Sequence, residues 1–357
     1  MLIAAGGTGG HIAPALAVAE ELVARGALVR FVTTPSQLPR LEGQYPAEAL
    51  DMRGFERRLL ARDNLVTMRK LAVAAPRAWA ALSRARPRCV IGGGGYVSGP
   101  VVALAGLRRV PAVALEADAH LGVTNRALVR FVRRIFLSFP IEGLGPPKFV
   151  VTGRPLSRRQ LEASREQGLE YFGLIPVLPV ALVFGGSQGA QSINHACLEA
   201  FAVRDLEFQV IHVCGERNHA EMAAEVERRR APVERYRLLP YTDHLADAMA
   251  AADIVVGRAG GSLAEIAALG RPAVLVPYPY ASADHQRKNA RWAEQGGAAV
   301  VVDDAELSGP LLSQLVRGLL ADPARLQAMA AASRKLGRPH ATAHVVDEIE
   351  RLLEEDQ

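Results

Sequence analysis

Short apolar runs alternate along the chain with longer segments in which apolar residues recur at helical spacing. In the first half, the apolar runs are MLIAA, ALVRFVTT, RCVIGG, PAVALEA, RRIFLSF and KFVVTG, and helical patterns such as PALAVAEELVARG lie between them. Strands that are apolar on both faces are typical of parallel sheets covered by helices on both sides. The pattern therefore predicts an α/β fold.

The second half repeats this alternation. Its apolar runs are PVALVFGG, FQVIHVCG, YRLLPY, ADIVVGR, PAVLVPY and AAVVVDD, and its helical patterns include SINHACLEAFAV and SLAEIAALG. Each half opens with a strand that runs into a glycine-rich turn, which predicts two Rossmann-like domains. We place the first domain at residues 1–155 and the second at residues 156–335, with an amphipathic C-terminal helix over residues 336–357.

The composition is that of a folded protein of two domains, because the chain has 357 residues, half of them hydrophobic. No apolar run approaches the roughly 20 residues that span a bilayer. The start, MLIAAGG, lacks the basic region and the apolar length of a signal peptide. Cys89, Cys197 and Cys214 show no disulfide or metal-site spacing, so we expect reduced thiols in a cytoplasmic protein.

Charge is distributed unevenly between the two halves. Residues 1–155 contain 21 Lys and Arg and 10 Asp and Glu, a net charge of +11, whereas the remainder contains 21 and 27, a net charge of −6. A basic half suggests an anionic partner, and the charge alone leaves nucleic acid, a phosphorylated substrate and an anionic membrane surface open. Arginines on an ordinary solvated face are the alternative explanation.

Three glycine-rich turns follow predicted strands. They are GGTGGH at residues 6–11, GGGGYVSGP at residues 92–100 and GGSQGA at residues 185–190. Such turns let a ligand approach the backbone, and the helix that follows offers free N–H groups to an anion. GGTGGH lacks the last glycine of a nicotinamide-binding fingerprint, and GGSQGA is not followed by the Gly-Lys-Ser/Thr of a Walker loop. We therefore expect phosphate-binding turns of another kind in both domains.

These motifs occur together in one known family. GGTGGHIAPALAVA, GGGYVSGP, FGGSQGA, RAGGSLAEIAALGRPAVLVPYP and DHQRKNA resemble the MurG-type N-acetylglucosaminyltransferases of peptidoglycan synthesis, over residue 3 to about residue 300. The resemblance implies a GT-B fold, in which two Rossmann-like domains face each other across a cleft and the last helix crosses back to the first domain. It implies inverting transfer of GlcNAc from UDP-GlcNAc to the MurNAc 4-hydroxyl of undecaprenyl-pyrophosphoryl-MurNAc-pentapeptide. This reaction converts lipid I to lipid II, and we expect it to need no cofactor and no metal ion.

The resemblance also implies where the substrates bind. In the second domain, the turn with Ser187 would bind the donor diphosphate, and the Glu265 carboxylate would accept hydrogen bonds from the ribose hydroxyls. Gln286 would contact the sugar, with Asn289 as a neighbour. The full set of implied substrate-binding residues is Thr8, Gly9, Gly10, Asp118, Arg154, Ser187, Thr242, Gly260, Gly261, Ser262, Glu265, His285 and Gln286. The implied acceptor-binding residues are Gly7, Gly94, Gly95, Tyr96 and Ser98.

Two residues of the first domain are candidates for the catalytic base. His11 lies where the first helix begins, and the positive end of the helix dipole favours a neutral imidazole. A neutral imidazole can accept the proton of the attacking hydroxyl. The alternative role of His11 is to cap or brace the turn. Glu116, at the end of the strand in PAVALEA, is the rival base or a residue that orients the acceptor.

Two stretches depart from the family's pattern. The usual His-Glu-Gln-Asn is Leu-Glu-Ala-Asp here, which puts Asp118 where an amide helps to hold the donor sugar. The usual Gly-Asn-Pro-Val-Arg is Gly-Arg-Pro-Leu-Ser, so the family's arginine falls on Ser157, and Arg154 or Arg158 would replace it. Two alternatives therefore stay open. One is a related GT-B enzyme with another UDP-sugar or another lipid acceptor, such as a diacylglycerol, and the other is a catalytically inactive nucleotide-sugar binder.

Residues 53–88 combine ten Lys and Arg and two Asp and Glu with apolar residues at helical spacing. An anionic lipid surface would bind such a face, and an ordinary amphipathic helix packed on the sheet is the alternative. A lipid-linked pyrophosphate acceptor favours peripheral contact with the anionic inner face of the cell membrane. We expect no nucleic-acid binding, because the sequence has no basic surface interleaved with aromatic residues.

Overall fold

The computed structural model describes residues 1–7, 9–51, 62–186 and 188–355, and for residues 9 and 62–73 it describes the backbone only. The chain divides into two compact units. The first contains Met1–Ser157 and His340–Gln357, and the second contains Arg158–Pro339. Each unit is built on its own parallel sheet.

A parallel sheet forms the centre of the first unit. Within the described residues, its seven strands are β1 (Leu2–Ala4), β2 (Arg30–Thr33), β3 (Ala47–Ala49), β4 (Val90–Gly92), β5 (Ala112–Glu116), β6 (Arg134–Leu137) and β7 (Phe149–Val151). The helices between them are α1 (Gly9–Ala24), α2 (Arg62–Ala85), α3 (Ser98–Leu107) and α4 (Val123–Leu128). β1, β4 and β5 are buried along their whole length, which is why their sequences are apolar without alternation.

The strands of this sheet lie in the order β3-β2-β1-β4-β5-β6-β7, so the order reverses between β1 and β4. Leu2 of β1 is opposite Arg30 of β2 on one side and Val90 of β4 on the other. In open parallel sheets, ligands bind at the carboxyl ends of the strands where the order reverses. The six strands predicted in the first half are confirmed. The edge strand β3 has the sequence AEA, which carries no apolar run that could predict it.

The second unit repeats this architecture. Within the described residues, its strands are β8 (Val180–Phe184), β9 (Gln209–Val213), β10 (Tyr236–Leu239), β11 (Ile254–Gly257), β12 (Ala273–Leu275) and β13 (Ala299–Val301). Their order is β10-β9-β8-β11-β12-β13, with the reversal between β8 and β11. The helices are α5 (Arg158–Leu161), α6 (Arg165–Tyr171), α7 (Gln191–Phe201), α8 (His219–Arg229), α9 (Leu245–Ala251), α10 (Ser262–Ala268), α11 (His285–Gln295), α12 (Gly309–Leu320) and α13 (Pro323–Leu336). All six strands predicted in the second half are confirmed.

The last helix, α14 (Ala341–Glu355), belongs to the first unit. Val345 and Ile349 are fully buried in a cluster with apolar side chains from α1 and the first sheet. Thr342 Oγ1 donates to the Leu156 carbonyl at 2.7 Å and accepts from the Leu156 N–H at 2.9 Å. The chain therefore returns to the first unit after completing the second.

Residues 53–88, for which the sequence predicts membrane contact, lie partly outside the described residues. α2 accounts for its second part, and the side chains of that helix are described from residue 74 onwards. In the part of the chain that the structure describes, no helix combines the length and the apolar character needed to cross a bilayer.

Candidate functional site

Two glycine turns meet at the strand reversal of the first unit. The turn after β1 contains Gly6 and Gly7, and the turn after β4 contains Gly94 and Gly95. A β-carbon placed on Gly95 would overlap the Gly6 carbonyl oxygen, so the two turns are in direct backbone contact. The aromatic ring of Tyr96 also lies close to Gly7. The sequence predicts two separate anion-binding turns, and the structure joins them into one surface.

His11 lies in the first turn of α1, and its ring packs against the turn after β4. A β-carbon on Gly94 would lie 2.5 Å from His11 Cδ2 and 3.4 Å from His11 Nε2. Gly94 has a φ of +95°, a conformation that residues with side chains rarely adopt. Glycine at this position therefore permits the turn and also makes room for the imidazole. His11 as a residue stays partly exposed to solvent.

The Glu116 carboxylate is engaged in closing the loop that follows β5. It accepts hydrogen bonds from the N–H groups of Ala117 at 3.0 Å, Asp118 at 3.4 Å and Gly122 at 2.8 Å. Asn125 Nδ2 donates a fourth, at 3.0 Å. Glu116 is only 6 % exposed, and burial raises the pKa of its carboxyl although the bonds from Gly122 and Asn125 lower it. These contacts fix the loop that carries Asp118.

Three buried side chains hold the carbonyl groups of the first unit's glycine turns. Gln37 Nε2 donates to the Gly7 carbonyl at 3.1 Å. Arg154 Nη2 donates to the Gly10 carbonyl at 2.7 Å. Ser98, which is fully buried, donates to the Gly95 carbonyl at 2.8 Å.

Two of these three residues are predicted from the sequence to bind substrate, and the third is not predicted at all. The hydroxyl of Ser98, predicted to bind the acceptor, donates to a backbone carbonyl of its own turn in the structure. Gln37 lies in the loop after β2 and has no motif around it that would reveal its contact. Thr8, predicted to bind substrate, lies outside the described residues.

In the second unit, the turn after β8 rests against the end of β9. Ser187, the predicted diphosphate ligand in this turn, lies outside the described residues. A β-carbon on Gly189 would overlap the Cys214 carbonyl oxygen and lie 2.5 Å from Asn218 Nδ2. Asn194 and Asn218 both donate to that carbonyl at 2.9 Å, and Asn218 also reaches the Gln188 carbonyl at 3.4 Å. Both asparagines thus hold the Cys214 carbonyl on which Gly189 packs, and Asn218 also contacts the turn itself; no sequence motif predicts these contacts.

A buried polar chain supports Asn194 from behind. His212 Nε2 is 3.1 Å from Asn194 Oδ1, and His212 Nδ1 is 2.9 Å from the Tyr236 hydroxyl. Burial lowers the pKa of His212 to about 3, so the ring is neutral at physiological pH and carries one N–H. A neutral ring can donate on one side and accept on the other, which matches its two partners. We therefore regard His212 as a support for the turn and not as a proton carrier.

The turn after β11 is held by an arginine and an asparagine. The guanidinium of Arg258 donates to the Val276 carbonyl and to Ser192 Oγ, both at 3.0 Å, and pairs with Asp304. Asn289 Nδ2 donates to the Ala259 carbonyl at 3.0 Å, and its side chain is fully buried. Arg258 therefore links the carboxyl ends of β11 and β12 with the start of α7.

The residues predicted to bind the donor lie at the carboxyl edge of this second sheet. A β-carbon on Gly260 would lie 3.8 Å from Gln286 Nε2, and Gln286 Oε1 accepts from the Tyr278 N–H at 2.9 Å. Gly261 precedes α10, and Glu265 lies partly exposed within that helix. Ser262 is the first residue of α10, and His285 is the first residue of α11.

Thr242 lies apart from this group, in the turn after β10, where its Oγ1 accepts from the His244 N–H at 3.0 Å. Among the residues that the structure describes, no three His, Cys, Asp or Glu side chains are grouped as metal ligands.

The sequence matches two domains of a known family. Residues 1–137 match the glycosyltransferase family 28 N-terminal domain, and residues 180–345 match the glycosyltransferase family 28 C-terminal domain. The chain belongs to glycosyltransferase family 28. The family 28 match covers both strand reversals and the glycine turns that follow β1, β4, β8 and β11.

Curated relatives match the chain over nearly its full length. A protein of Halothermothrix orenii is 38 % identical over 365 residues, which cover 98 % of each chain. One of Moorella thermoacetica is 39 % identical over 372 residues and 99 % of each chain. Both are named UDP-N-acetylglucosamine–N-acetylmuramyl-(pentapeptide) pyrophosphoryl-undecaprenol N-acetylglucosamine transferase. The predicted membership of the MurG-type group is confirmed.

Solved structures agree with this assignment. Acinetobacter baumannii MurG has a TM-score of 0.78 and 29 % identity, and the match covers 98 % of this chain and 99 % of that one. A UDP-GlcNAc 2-epimerase from Neisseria meningitidis, bound to UDP-GlcNAc, has a TM-score of 0.67 at 14 % identity, with 98 % and 99 % coverage. The second likeness shows the fold alone. The predicted GT-B fold is confirmed, while the roles of individual site residues stay predictions.

Proposed function

We propose that this family 28 chain transfers GlcNAc from UDP-GlcNAc to the MurNAc 4-hydroxyl of a pyrophosphoryl-undecaprenol-linked MurNAc-pentapeptide, with inversion at the sugar carbon. The observation that carries the proposal is the match, over at least 98 % of both chains, to relatives named for this transfer. The glycine turns at the strand reversals of both units support it, because donor and acceptor each carry a pyrophosphate.

The donor binds the second unit in this proposal. The turn at residues 185–190 receives the diphosphate, with Ser187 as a hydroxyl donor and the start of α7 contributing its positive dipole end. Glu265 accepts hydrogen bonds from the ribose hydroxyls, and Gln286 contacts the sugar. Backbone N–H groups and the helix dipole stabilise the negative charge that develops on the departing UDP. Asn194 and Asn218 support this role, because they hold the Cys214 carbonyl on which Gly189 of this turn packs.

The acceptor binds the first unit, and His11 is the base that takes its proton. The partial exposure of His11 and the packing of its ring against Gly94 support this role, since a base must be both reachable and held in place. Glu116 is buried with four donors on its carboxylate, which supports a positioning role for it. We propose that Glu116 shapes the loop bearing Asp118 and leaves proton removal to His11.

A second candidate function is favoured by Asp118. A carboxylate can accept from a sugar hydroxyl, but it cannot donate to an acetamido carbonyl as an amide can. Asp118 lies in the loop organised by Glu116, at a position where the resemblance implies contact with the donor sugar. Asp118 would therefore suit a donor without an acetamido group, such as UDP-glucose or UDP-galactose. An enzyme of this kind could also use another lipid acceptor, such as a diacylglycerol.

Donor competition separates the two candidate functions. We expect the full chain, given the lipid-linked MurNAc-pentapeptide, to use UDP-GlcNAc with a kcat/KM at least about 100-fold above that of UDP-glucose or UDP-galactose. Products are identified by mass spectrometry, with diacylglycerol as the second acceptor. Turnover with UDP-glucose or UDP-galactose in the absence of turnover with UDP-GlcNAc would replace the leading proposal with the alternative.

We also propose that the first unit contacts the anionic inner face of the cell membrane. Trp79 of α2 and Leu107 of α3 are 49 % and 68 % exposed, and the Arg108 guanidinium lies 4.5 Å over the Trp79 ring. An arginine beside exposed apolar side chains suits the boundary between lipid headgroups and acyl chains. Trp79 belongs to the described part of the segment that is predicted to contact the membrane. Leu107 and Arg108 lie at the end of the neighbouring helix α3.

The double variant Trp79→Ser with Leu107→Ser should bind vesicles containing phosphatidylglycerol about 10- to 30-fold more weakly than the wild type. Each substitution removes about 1 kcal/mol of apolar burial in the lipid. Co-sedimentation measures the partition coefficient, and Leu28→Ser, at an 88 % exposed apolar residue, is the matched control. Equal binding by the double variant and the wild type would place membrane contact elsewhere.

A further inference from the structure

A proline near the start of α1 removes the usual hydrogen-bond donor of one backbone carbonyl. In an α-helix, the N–H of residue 14 donates to the carbonyl of residue 10. Here residue 14 is Pro14, which lies inside α1 and has no N–H to donate. Its ring also crowds the carbonyl four residues before it. The Gly10 carbonyl, next to His11, therefore lacks the N–H donor that residue 14 would normally supply.

Arg154 supplies the missing donor from a distant part of the chain. It follows β7, and its Nη2 donates to the Gly10 carbonyl at 2.7 Å. Arg154 is only 5 % exposed, although a guanidinium is normally among the most exposed of all groups. A buried charged group has to be held by hydrogen bonds. One bond that holds Arg154 goes to the Gly10 carbonyl, which has lost its usual donor because residue 14 is proline.

We propose that Arg154 is a positioning residue for His11. By donating to the Gly10 carbonyl, it provides the bond that Pro14 removes and fixes the first turn of α1, so the imidazole stays against Gly94. The inference rests on the proposed function, because it assumes that His11 is the base. It differs from the sequence-based prediction that Arg154 binds substrate, and the two roles predict different results.

A double-variant cycle between residues 14 and 154 tests the inference. Arg154→Leu should lower kcat about tenfold and leave the KM for UDP-GlcNAc within about twofold of wild type, because the base is misplaced while the donor site is intact. Pro14→Ala restores the intrahelical N–H. The double variant Pro14→Ala with Arg154→Leu should therefore recover kcat to within about threefold of Pro14→Ala alone.

Arg154→Gln is the conservative variant, since its amide can still donate to a carbonyl without a charge, and we expect it to keep more of kcat than Arg154→Leu. A rise of tenfold or more in the KM for UDP-GlcNAc or for the acceptor, with no recovery from Pro14→Ala, would overturn the inference. That result would instead make Arg154 a substrate ligand.

Thermal unfolding separates this inference from the proposed function. Arg154→Leu should lower Tm by about 3–6 °C when residue 14 is proline and by less than half of that when it is alanine. If the Tm effects at residues 14 and 154 are coupled but the wild-type chain transfers no GlcNAc, the compensating hydrogen bond is supported and the proposed function is wrong. If the wild type transfers GlcNAc but the effects of the substitutions at residues 14 and 154 on Tm and kcat are strictly additive, the inference is wrong and the proposed function stands.

Discussion

Replacing His11 with alanine should lower kcat by about 10²- to 10⁴-fold while the KM for UDP-GlcNAc stays within about threefold of wild type. General base catalysis contributes an effect of this size, and the donor site proposed above lies in the second unit, which His11 does not belong to. Steady-state kinetics on the lipid-linked acceptor, or on a soluble analogue of it, measures both constants. Removal of the ring also empties the space beside Gly94, so circular dichroism should confirm that the fold is unchanged.

Glu116→Gln is the matched control for this experiment, since it tests the rival base. Either orientation of the amide puts its nitrogen against two N–H donors, those of Gly122 and Asn125 or those of Ala117 and Asp118. We therefore expect a lower Tm and a kcat loss smaller than that of His11→Ala. The opposite ranking, in which Glu116→Gln keeps its Tm but loses kcat more than 100-fold and His11→Ala keeps kcat, would assign proton removal to Glu116.

The strands and the glycine turns could be predicted from the sequence because their signals are local. Strand β8 is buried on both faces, and this requirement appears directly in five consecutive apolar letters, VALVF. A glycine-rich turn directly after such a run is an equally local signal. Edge strand β3 has the sequence AEA and is only partly buried, so it leaves no such signal.

The hydrogen bonds that support the turns could not be predicted, because they join residues far apart in the chain. Gln37 reaches Gly7 across 30 residues. Arg154 reaches Gly10 across 144 residues. Neither contact has a periodic pattern or a motif, and both depend on which loops the sheet order brings together. The strand order, in which β1 lies beside β4, follows from tertiary packing. This order brings the loops that carry these residues close to one another.

Side-chain direction is the other property that the sequence does not carry. Ser98 and Asn289 both sit inside motifs that the family resemblance singles out, and both are fully buried in the structure. Each donates to a backbone carbonyl, Ser98 to Gly95 and Asn289 to Ala259. A motif can thus include residues that hold a turn together, and the sequence alone does not show which way their side chains point.

Gly189→Ala should raise the Kd for UDP by about 100-fold or more. The added β-carbon would overlap the Cys214 carbonyl oxygen, and that oxygen cannot retreat because Asn194 and Asn218 both donate to it. The turn at residues 185–190 must then move. Loss of two charge-assisted hydrogen bonds to the diphosphate, at about 1.5–3 kcal/mol each, weakens binding by at least that factor. Isothermal titration calorimetry with UDP measures the change.

Gly297→Ala is the matched control, because Gly297 has a φ of +77° against +75° for Gly189, while its β-carbon would meet only Ala332 Cβ, at an ordinary 3.6 Å. The control carries the same backbone strain without the overlap, so its Kd for UDP should stay within about twofold of wild type while its Tm falls slightly. Asn218→Ala loosens the turn without any overlap and should raise the Kd about tenfold. Folded Gly189→Ala and Asn218→Ala variants with wild-type affinity for UDP would show that the diphosphate binds away from this turn.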